Sequence, residues 1–223
     1  MQCQHPQEFR NNMATKSETA YHHGDLRRAL IQEALAMIAE SGASDLSLRE
    51  LARRVGVTQT APYRHFADRE ALLATVAEEG FRNLTEQSKL AAEGSQTNLE
   101  ALAAMGRAYL RFAKENPSHY RVMFGPEIVG NERLRYPGLG QVCAELDNLY
   151  LGVIKKGQES GEIIEGSTAE LAESTWAIAH GLSSLLIDGH IGENPNRPFG
   201  GQNTLAFALK KWQQIISKNP INT

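Results

Sequence analysis

The chain has 223 residues, 41% of them apolar and 22% charged, with a formal net charge of -3; this is enough apolar material for one large or two modest globular domains. No run of about 18 uninterrupted apolar residues is available to span a membrane, and no apolar stretch with a small-residue cleavage site opens the chain, so a cytoplasmic protein without membrane partners is expected. Cys3 and Cys143 are too few and too far apart for a disulfide scaffold or a zinc-ligand set, and both read as free thiols in a protein without metal or cofactor.

Residues 1–22 are polar with little that packs, which predicts a disordered tail. A second methionine at position 13 leaves open whether Met1 or Met13 is the native start. His22, His23 and Asp25 are metal-ligand types, but a flexible segment has no preorganised geometry and Asp25 is explained as a helix N-cap. After Asp25, LRRALIQEALAMIAESG places Leu26, Leu30, Ala34, Met37 and Ile38 on one face and ends at Gly42, a first helix.

Ser47 opens a second, two-turn helix, LRELARRVG, with Glu50 at the capping-box spacing and Leu48, Leu51, Ala52 and Val55 facing inward. Gly56 and Val57 follow, then GVTQTAPYRHF, a short segment with Thr58, Gln59 or Thr60 as its N-cap. Pro62 there falls in or near the first turn, where a missing N–H costs little and the fixed φ suits helix entry. Two short helices across a glycine-containing turn are a helix-turn-helix signature, and the first helix supplies the third member of the unit. Asp68 caps a long helix beginning REALLATVAEEG that joins this unit to the rest.

A reader of this type presents short polar side chains to base edges and grips phosphate with hydroxyls and cations. Gln59 can contact adenine bidentately through the oxygen and nitrogen of its amide, and Thr60 offers a hydroxyl or a methyl; Tyr63, Arg64 and His65 lie one turn on, while Phe66 reads as core. Between Ser47 and Arg69 five arginines stand against Glu50 and Asp68, a local balance of +3, so the remainder of the chain carries -6. Such a patch suits nucleic acid, though charge alone is equally the mark of a solvated face.

The stretch LSLRELARRVGVTQTAPYRHFADREALL resembles the DNA-binding domain of the TetR family of transcriptional repressors, through Ala52, Gly56, Val57, Thr58, Tyr63, His65, Phe66, Glu70 and Leu72. The resemblance implies a homodimer of all-helical subunits that binds a double-stranded DNA operator. It implies phosphate contacts from Thr58, Tyr63, His65 and the cation at Arg69, where lysine is usual, and base contacts from Gln59, Thr60 and Ala61; Ser47 and Arg49 join the expected DNA-binding set. Pro62, where an aliphatic residue is common, is a second departure.

Beyond the long helix the pattern stays helical. NLEALAAMGRAYLRFAKE stops at Pro117, SHYRVMF forms a short segment, a helix runs from about Leu139 to Ser160, another opens at Ser167 or Thr168, and a last one starts near Asn203. Trp176 and His180 share a helix face and, with Gly181, are similar to the Trp-x-x-x-His-Gly signature of one TetR subgroup. They read either as a ligand-facing or interface pair, or as a packed tryptophan beside a hydrogen-bonded core histidine. Met105, Tyr109, Phe112, Tyr120, Met123 and Phe124, with Trp176 and His180, are the candidate lining of a cavity for a small apolar or amphipathic inducer, against the plain alternative that most are core. Leu182, Leu185, Leu205, Leu209, Trp212 and Ile216 have the spacing of a four-helix dimer seam.

The expectation is an all-α protein: a helix-turn-helix DNA-binding domain over residues 23–70 and a C-terminal helical regulatory and dimerisation domain over residues 71–218. No glycine-rich phosphate loop or nucleophile constellation accompanies it, and Asp188 and His190 lack partners in the pattern, so no enzyme is expected. A repressor released by an inducer is the leading expectation. An activator, a regulator without a small-molecule effector, and a helical enzyme or interaction module that has lost DNA binding are the alternatives.

Overall fold

A computed structural model describes residues 23–128, 135–192 and 204–218, with side chains from residue 26 onward. The expected disordered tail, with Cys3 and Met13, lies outside them. The helices are α1 (His23–Ser41), α2 (Leu48–Val55), α3 (Arg69–Glu93), α4 (Asn98–Glu115), α5 (Pro117–Met123), α6 (Pro137–Glu159), α7 (Thr168–Ile187) and α8 (Thr204–Ile216), with one 3-10 turn at Pro62–Arg64. No strand is formed among the described residues; a single antiparallel bridge joins Ile163 to Ser217.

Local chemistry accounts for most boundaries. The α1 helix begins two residues before Asp25, so that residue lies inside the first turn and is not its N-cap, a correction to the sequence reading. Gly42, at φ +86°, ends α1 in the left-handed conformation that glycine adopts without steric cost. Asp68 caps α3 by accepting the Ala71 N–H at 2.7 Å, Thr97 caps α4 by accepting from Glu100 N–H at 3.1 Å, and Ser167 caps α7 by accepting from Glu170 N–H at 3.3 Å. Pro117 ends one helix and begins the next: α4 stops at Glu115 and α5 starts on the proline itself.

Ser47 occupies the N-cap position of α2 but its side chain makes no capping bond, and the capping box does not form. Its acid, Glu50, is drawn instead to two guanidinium groups, accepting from Arg53 at 2.7 and 2.8 Å and from Arg54 at 3.3 Å. Two charged donors outweigh one neutral backbone N–H.

The long helix α3 is the hub. Leu72, Leu73, Val76, Phe81 and Leu84 are buried along it, and it packs on α4, α5 and α6 while α1 packs on α2 and α5. A Cβ at Gly80 would lie 2.5 Å from Met123 Sδ, so glycine there permits the close approach of α3 and α5. One apolar cluster runs from Leu30 and Ile38 through Leu51, Phe66 and Leu72 to Tyr109, Met123, Leu139 and Ala179, crossing the boundary expected at residue 70. The reader and the C-terminal part therefore share a continuous core. Leu99, Leu102, Ile154, Ile163 and Ile216 form a second cluster at the far end, where Glu162 accepts from the Asn98 and Leu99 N–H groups at 2.6 and 3.2 Å and so caps the first turn of α4.

Candidate nucleic-acid interface and ligand cavity

Gly56 follows α2 at φ +78° and returns its N–H to Ala52 and Arg53 carbonyls. Nothing lies within 4 Å of a Cβ built there, so the backbone angle and not space demands glycine. The turn delivers Thr58, Gln59 and Thr60 into solvent, with the two threonine hydroxyls 3.3 Å apart. Ala61 N–H donates to Thr58 O at 2.9 Å, and Pro62 then opens the 3-10 turn at its first position with its ring buried.

The recognition segment is thus shorter than the expected helix. One 3-10 turn over Pro62–Arg64 is followed by Phe66, whose N–H donates to Pro62 O at 2.9 Å, and only Ala67 separates Phe66 from the Asp68 cap. Phe66 is buried at 3% exposure beneath the Arg27 guanidinium, 5.6 Å from its ring centre, whereas Tyr63 is half exposed.

The arginines divide into two sets. Arg54 is held by Glu40 at 2.8 Å, Glu50 at 3.3 Å and Glu33 at 3.4 Å, and Arg53 by Glu50; the Arg53 guanidinium first, with Arg54, holds the Glu50 carboxyl down at about 2. Arg69 donates to the Ala43 carbonyl at 2.6 Å and to Glu70 at 3.0 Å, with Glu127 at 3.9 Å. It pins the turn after α1 to the start of α3, a structural role not foreseen for it. Arg49 and Arg64 are exposed and carry no ion pair to a described residue. The patch of five cations therefore leaves two uncommitted, with Ser47, Thr58, Gln59, Thr60 and Tyr63 as the exposed polar set around them; Ala61 and His65 are half-buried.

A cavity of about 370 Å³ lies between α3, α4, α6 and α7. Its lining includes Phe81, Tyr109, Phe124, Cys143, Leu146, Tyr150 and Trp176, with Asp147 and Glu173. Alanines at 169, 172 and 179 recur along the α7 wall, and their small side chains leave the space open. Burial pushes the Tyr150 hydroxyl up to about 12 and the Tyr109 hydroxyl far up, so both stay protonated. A second, smaller cleft shares Phe124 and is bounded by Tyr120, Arg121, His180, Ser184, Ile187 and Asp188, with Arg121 and Asp188 paired at 3.6 Å.

An aromatic group joins the two. The His180 ring stacks on Tyr120 and on Trp176, centres 5.5 and 5.1 Å apart, and meets the edge of Phe124 at 4.8 Å. Tyr120 Oη lies 2.7 Å from Nδ1 and 3.2 Å from the carbonyl oxygen of His180, with Tyr109 Oη 3.3 Å from Nδ1. Burial lowers the His180 pKa, which keeps the ring neutral near pH 7.

Of the residues expected to line a ligand site, Tyr109, Phe124 and Trp176 border the larger cavity and Tyr120, Phe124 and His180 the smaller cleft. Met105, Phe112 and Met123 border neither, being fully buried core. Missed were Phe81, Cys143, Leu146, Asp147, Tyr150 and Glu173; the recurrence 143, 146, 147, 150, 151 on one helix face was the available signal. The expected dimer seam also divides. Leu209, Trp212 and Ile216 face inward: a Cβ at Gly106 would sit 3.2 Å from a Leu209 methyl, Trp212 Nε1 donates to Thr175 Oγ1 at 3.2 Å, and Ile216 belongs to the second cluster. Leu182 and Leu205 are half-buried and Leu185 is exposed, and the outward apolar residues of α8 are Phe207 and Ile215, at 61% and 64% exposure.

Residues 30–76 match the family model for "Bacterial regulatory proteins, tetR family" and residues 102–199 that for "Tetracyclin repressor-like, C-terminal domain". The chain is 32% identical over 154 residues to the nucleoid occlusion factor SlmA of Aliivibrio fischeri strain MJ11, covering 68% of this chain and 76% of that protein. A solved protein of unknown function from Rhodococcus sp. RHA1 superposes with a TM-score of 0.75 at 29% identity, covering 90% of this chain and all of that one. A bacterial regulatory protein in the tetR family from Rhodococcus RHA1 shares the fold at a TM-score of 0.68 and 15% identity, over 85% of this chain and 96% of the other.

Proposed function

Because this chain belongs to the tetR family of bacterial regulatory proteins, dimeric and non-enzymatic DNA-binding transcriptional regulators, we propose that it is a repressor released from a palindromic operator by a small-molecule inducer. The observation that carries the ligand-responsive part is the aromatic cavity whose walls lead to the reader. Helix α3 contributes Phe81 to the cavity and begins at the Asp68 cap directly behind the 3-10 turn. Arg135, just before α6, pairs with Asp68 at 3.4 Å, so the helix bearing Cys143 and Tyr150 is tied to the same cap. An occupant that shifts α6 against α3 moves the reader, and a dimer whose two readers leave a half-site separation of about 34 Å loses its operator.

In this reading Gln59, Thr60 and Ala61 meet bases, and Thr58, Tyr63 and His65 meet phosphate with Ser47, Arg49 and Arg64 around them. Arg69 stands outside that set in this reading, since its guanidinium is hydrogen-bonded to the Ala43 carbonyl. The dimer forms through the outward faces of α7 and α8, with Leu182, Leu185, Leu205, Phe207 and Ile215. The protein works in the cytoplasm, beside the DNA; among the described residues no helix is long and apolar enough to cross a membrane.

The test is fluorescence anisotropy with DNA upstream of the chain's own gene and with genomic fragments from a selection. Salt-sensitive, sequence-selective binding is expected, and a compound that raises the melting temperature must also release the DNA. Absence of binding to every fragment sinks the reading. The likeness to nucleoid occlusion factors favours a second reading, DNA binding in the service of nucleoid occlusion; a map of bound sites dispersed over the chromosome, indifferent to small molecules, would select it.

A further inference from the structure

We propose that the smaller cleft between α5 and α7 is a separate binding site for a small zwitterion, an α-amino acid with an apolar side chain, whose two charges are read by Arg121 and Asp188. This goes beyond the ligand-responsive reading above, which uses only the larger cavity. The cleft encloses about 190 Å³, below the range of drug-sized pockets and in keeping with a ligand of amino-acid size. One of its walls is the His180 ring, held in a single tautomer. Tyr120 Oη lies 2.7 Å from Nδ1 and Tyr109 Oη 3.3 Å from it, so Nδ1 accepts from a phenol and the ring proton sits on Nε2. Nε2 makes no bond to a described residue, and the ring borders this cleft and not the larger cavity. It is a fixed neutral donor at the cleft wall.

Both signs of charge also line the cleft. Arg121, in the last turn of α5, and Asp188, the C-cap of α7, lie 3.6 Å apart and half exposed. The last carbonyls of α7 add to the negative field at Asp188. This pair decides the class of ligand. A simple carboxylate reaches Arg121 only by competing with Asp188, and a simple amine reaches Asp188 only by competing with Arg121; either one leaves a charge of the pair without its partner. A zwitterion brings both signs. Its carboxylate adds to Arg121 and accepts from His180 Nε2–H while its ammonium adds to Asp188, so that the four charges alternate. Ser184, one turn from His180 and one turn from Asp188 on α7, supplies a hydroxyl. Phe124 and Ile187 give the same cleft an apolar wall for the ligand's side chain.

The experiment titrates the 223-residue chain calorimetrically with three probes that share one branched body: L-leucine, isocaproate, which lacks the ammonium, and isoamylamine, which lacks the carboxylate. L-leucine is expected to bind about tenfold or more tighter than either, and added salt weakens it because both protein charges are half exposed. In Asp188→Asn, isocaproate no longer competes for Arg121 and gains severalfold, so that the lead of leucine over it closes. In Arg121→Gln the lead of leucine over isoamylamine closes instead. The ranking in the unmodified chain stands by itself if a variant folds poorly. Equal binding of the three probes, binding of none, or a preference for leucine that survives both substitutions unchanged overturns the inference. None of these results bears on the ligand-responsive reading, which is decided by release of DNA and by occupants of the larger cavity, to which neither substituted residue belongs.

Discussion

Replacing Arg69 by alanine separates a structural arginine from a DNA-contacting one. The guanidinium donates to the Ala43 carbonyl at 2.6 Å and to Glu70 at 3.0 Å, with the side chain 24% exposed. A hydrogen bond from a charged donor contributes about 1.5–3 kcal/mol. Partial exposure places this one near the lower end, about 1.5–2 kcal/mol, since water replaces part of the interaction. For a chain of this length each kcal/mol moves the melting temperature by about 2–4 °C, so Arg69→Ala melts roughly 3–8 °C lower. Its effect on DNA is indirect: at a temperature where the variant is folded, the slope of log affinity against log salt is unchanged. Arg49→Ala and Arg64→Ala do the reverse. Neither pairs with a described residue, so melting holds, while removing one phosphate-binding cation flattens the slope by about 0.9, hence about 2 for a dimer that carries the residue twice. Thermal unfolding and anisotropy across a salt series read both quantities. An Arg69→Ala protein with unaltered melting and a flatter slope would refute the assignment.

Three further outcomes rest on single side chains. Burial lowers the pKa of His180 below its ordinary 6.5, so the unfolded chain binds more protons than the folded one just below that value; stability is complete above pH 6.5 and falls as the pH drops through it, and His180→Gln loses part of that slope in urea titrations at a series of pH values. His119 is lowered by burial in the same way and supplies a second part. For Glu162, burial raises the carboxyl pKa but bonds from Ser160, Leu99 and Asn98 outweigh it, giving a net lowering from 4.5. Glu162→Gln should therefore cost about 1 kcal/mol at neutral pH, a difference that closes as the pH falls below 4.5 and the wild-type carboxylate protonates. Leu209→Ala, at a buried position packed against Gly106, should lower protomer stability by about 2–5 kcal/mol. Phe207→Ser leaves the protomer intact and weakens self-association in sedimentation velocity; equal melting losses in the two variants would contradict the inward and outward faces of α8.

The long described helices were legible from periodicity and punctuation, because caps and stops are local: Asp68 and Ser167, both legible as caps, bond with side chains three residues from their partners, whereas SHYRVMF is legible only as a short segment. Pro62 likewise declares its place in a first turn through its own fixed φ. Local signals failed where another group competed. The Ser47–Glu50 box is absent because arginines claim Glu50, and one of them, Arg54, is itself held in place by Glu33 and Glu40 of α1. Arg69 keeps no trace in the sequence of its bond to Ala43, 26 residues away. Apolar spacing showed that α8 has a buried face but not against what, so a protomer core and a dimer seam looked alike at Leu209, Trp212 and Ile216.

By itself, then, the order of residues determined the helices, the turn that presents Thr58 to Thr60, and membership in a family of DNA-binding regulators, since all three rest on short-range patterns. Tertiary packing alone decided which arginines are taken up in ion pairs, and that alanines on α7 facing α6 open a space lined by aromatics with Asp147 and Glu173. A cavity is the distance between elements, and no stretch of one helix records how closely another approaches it.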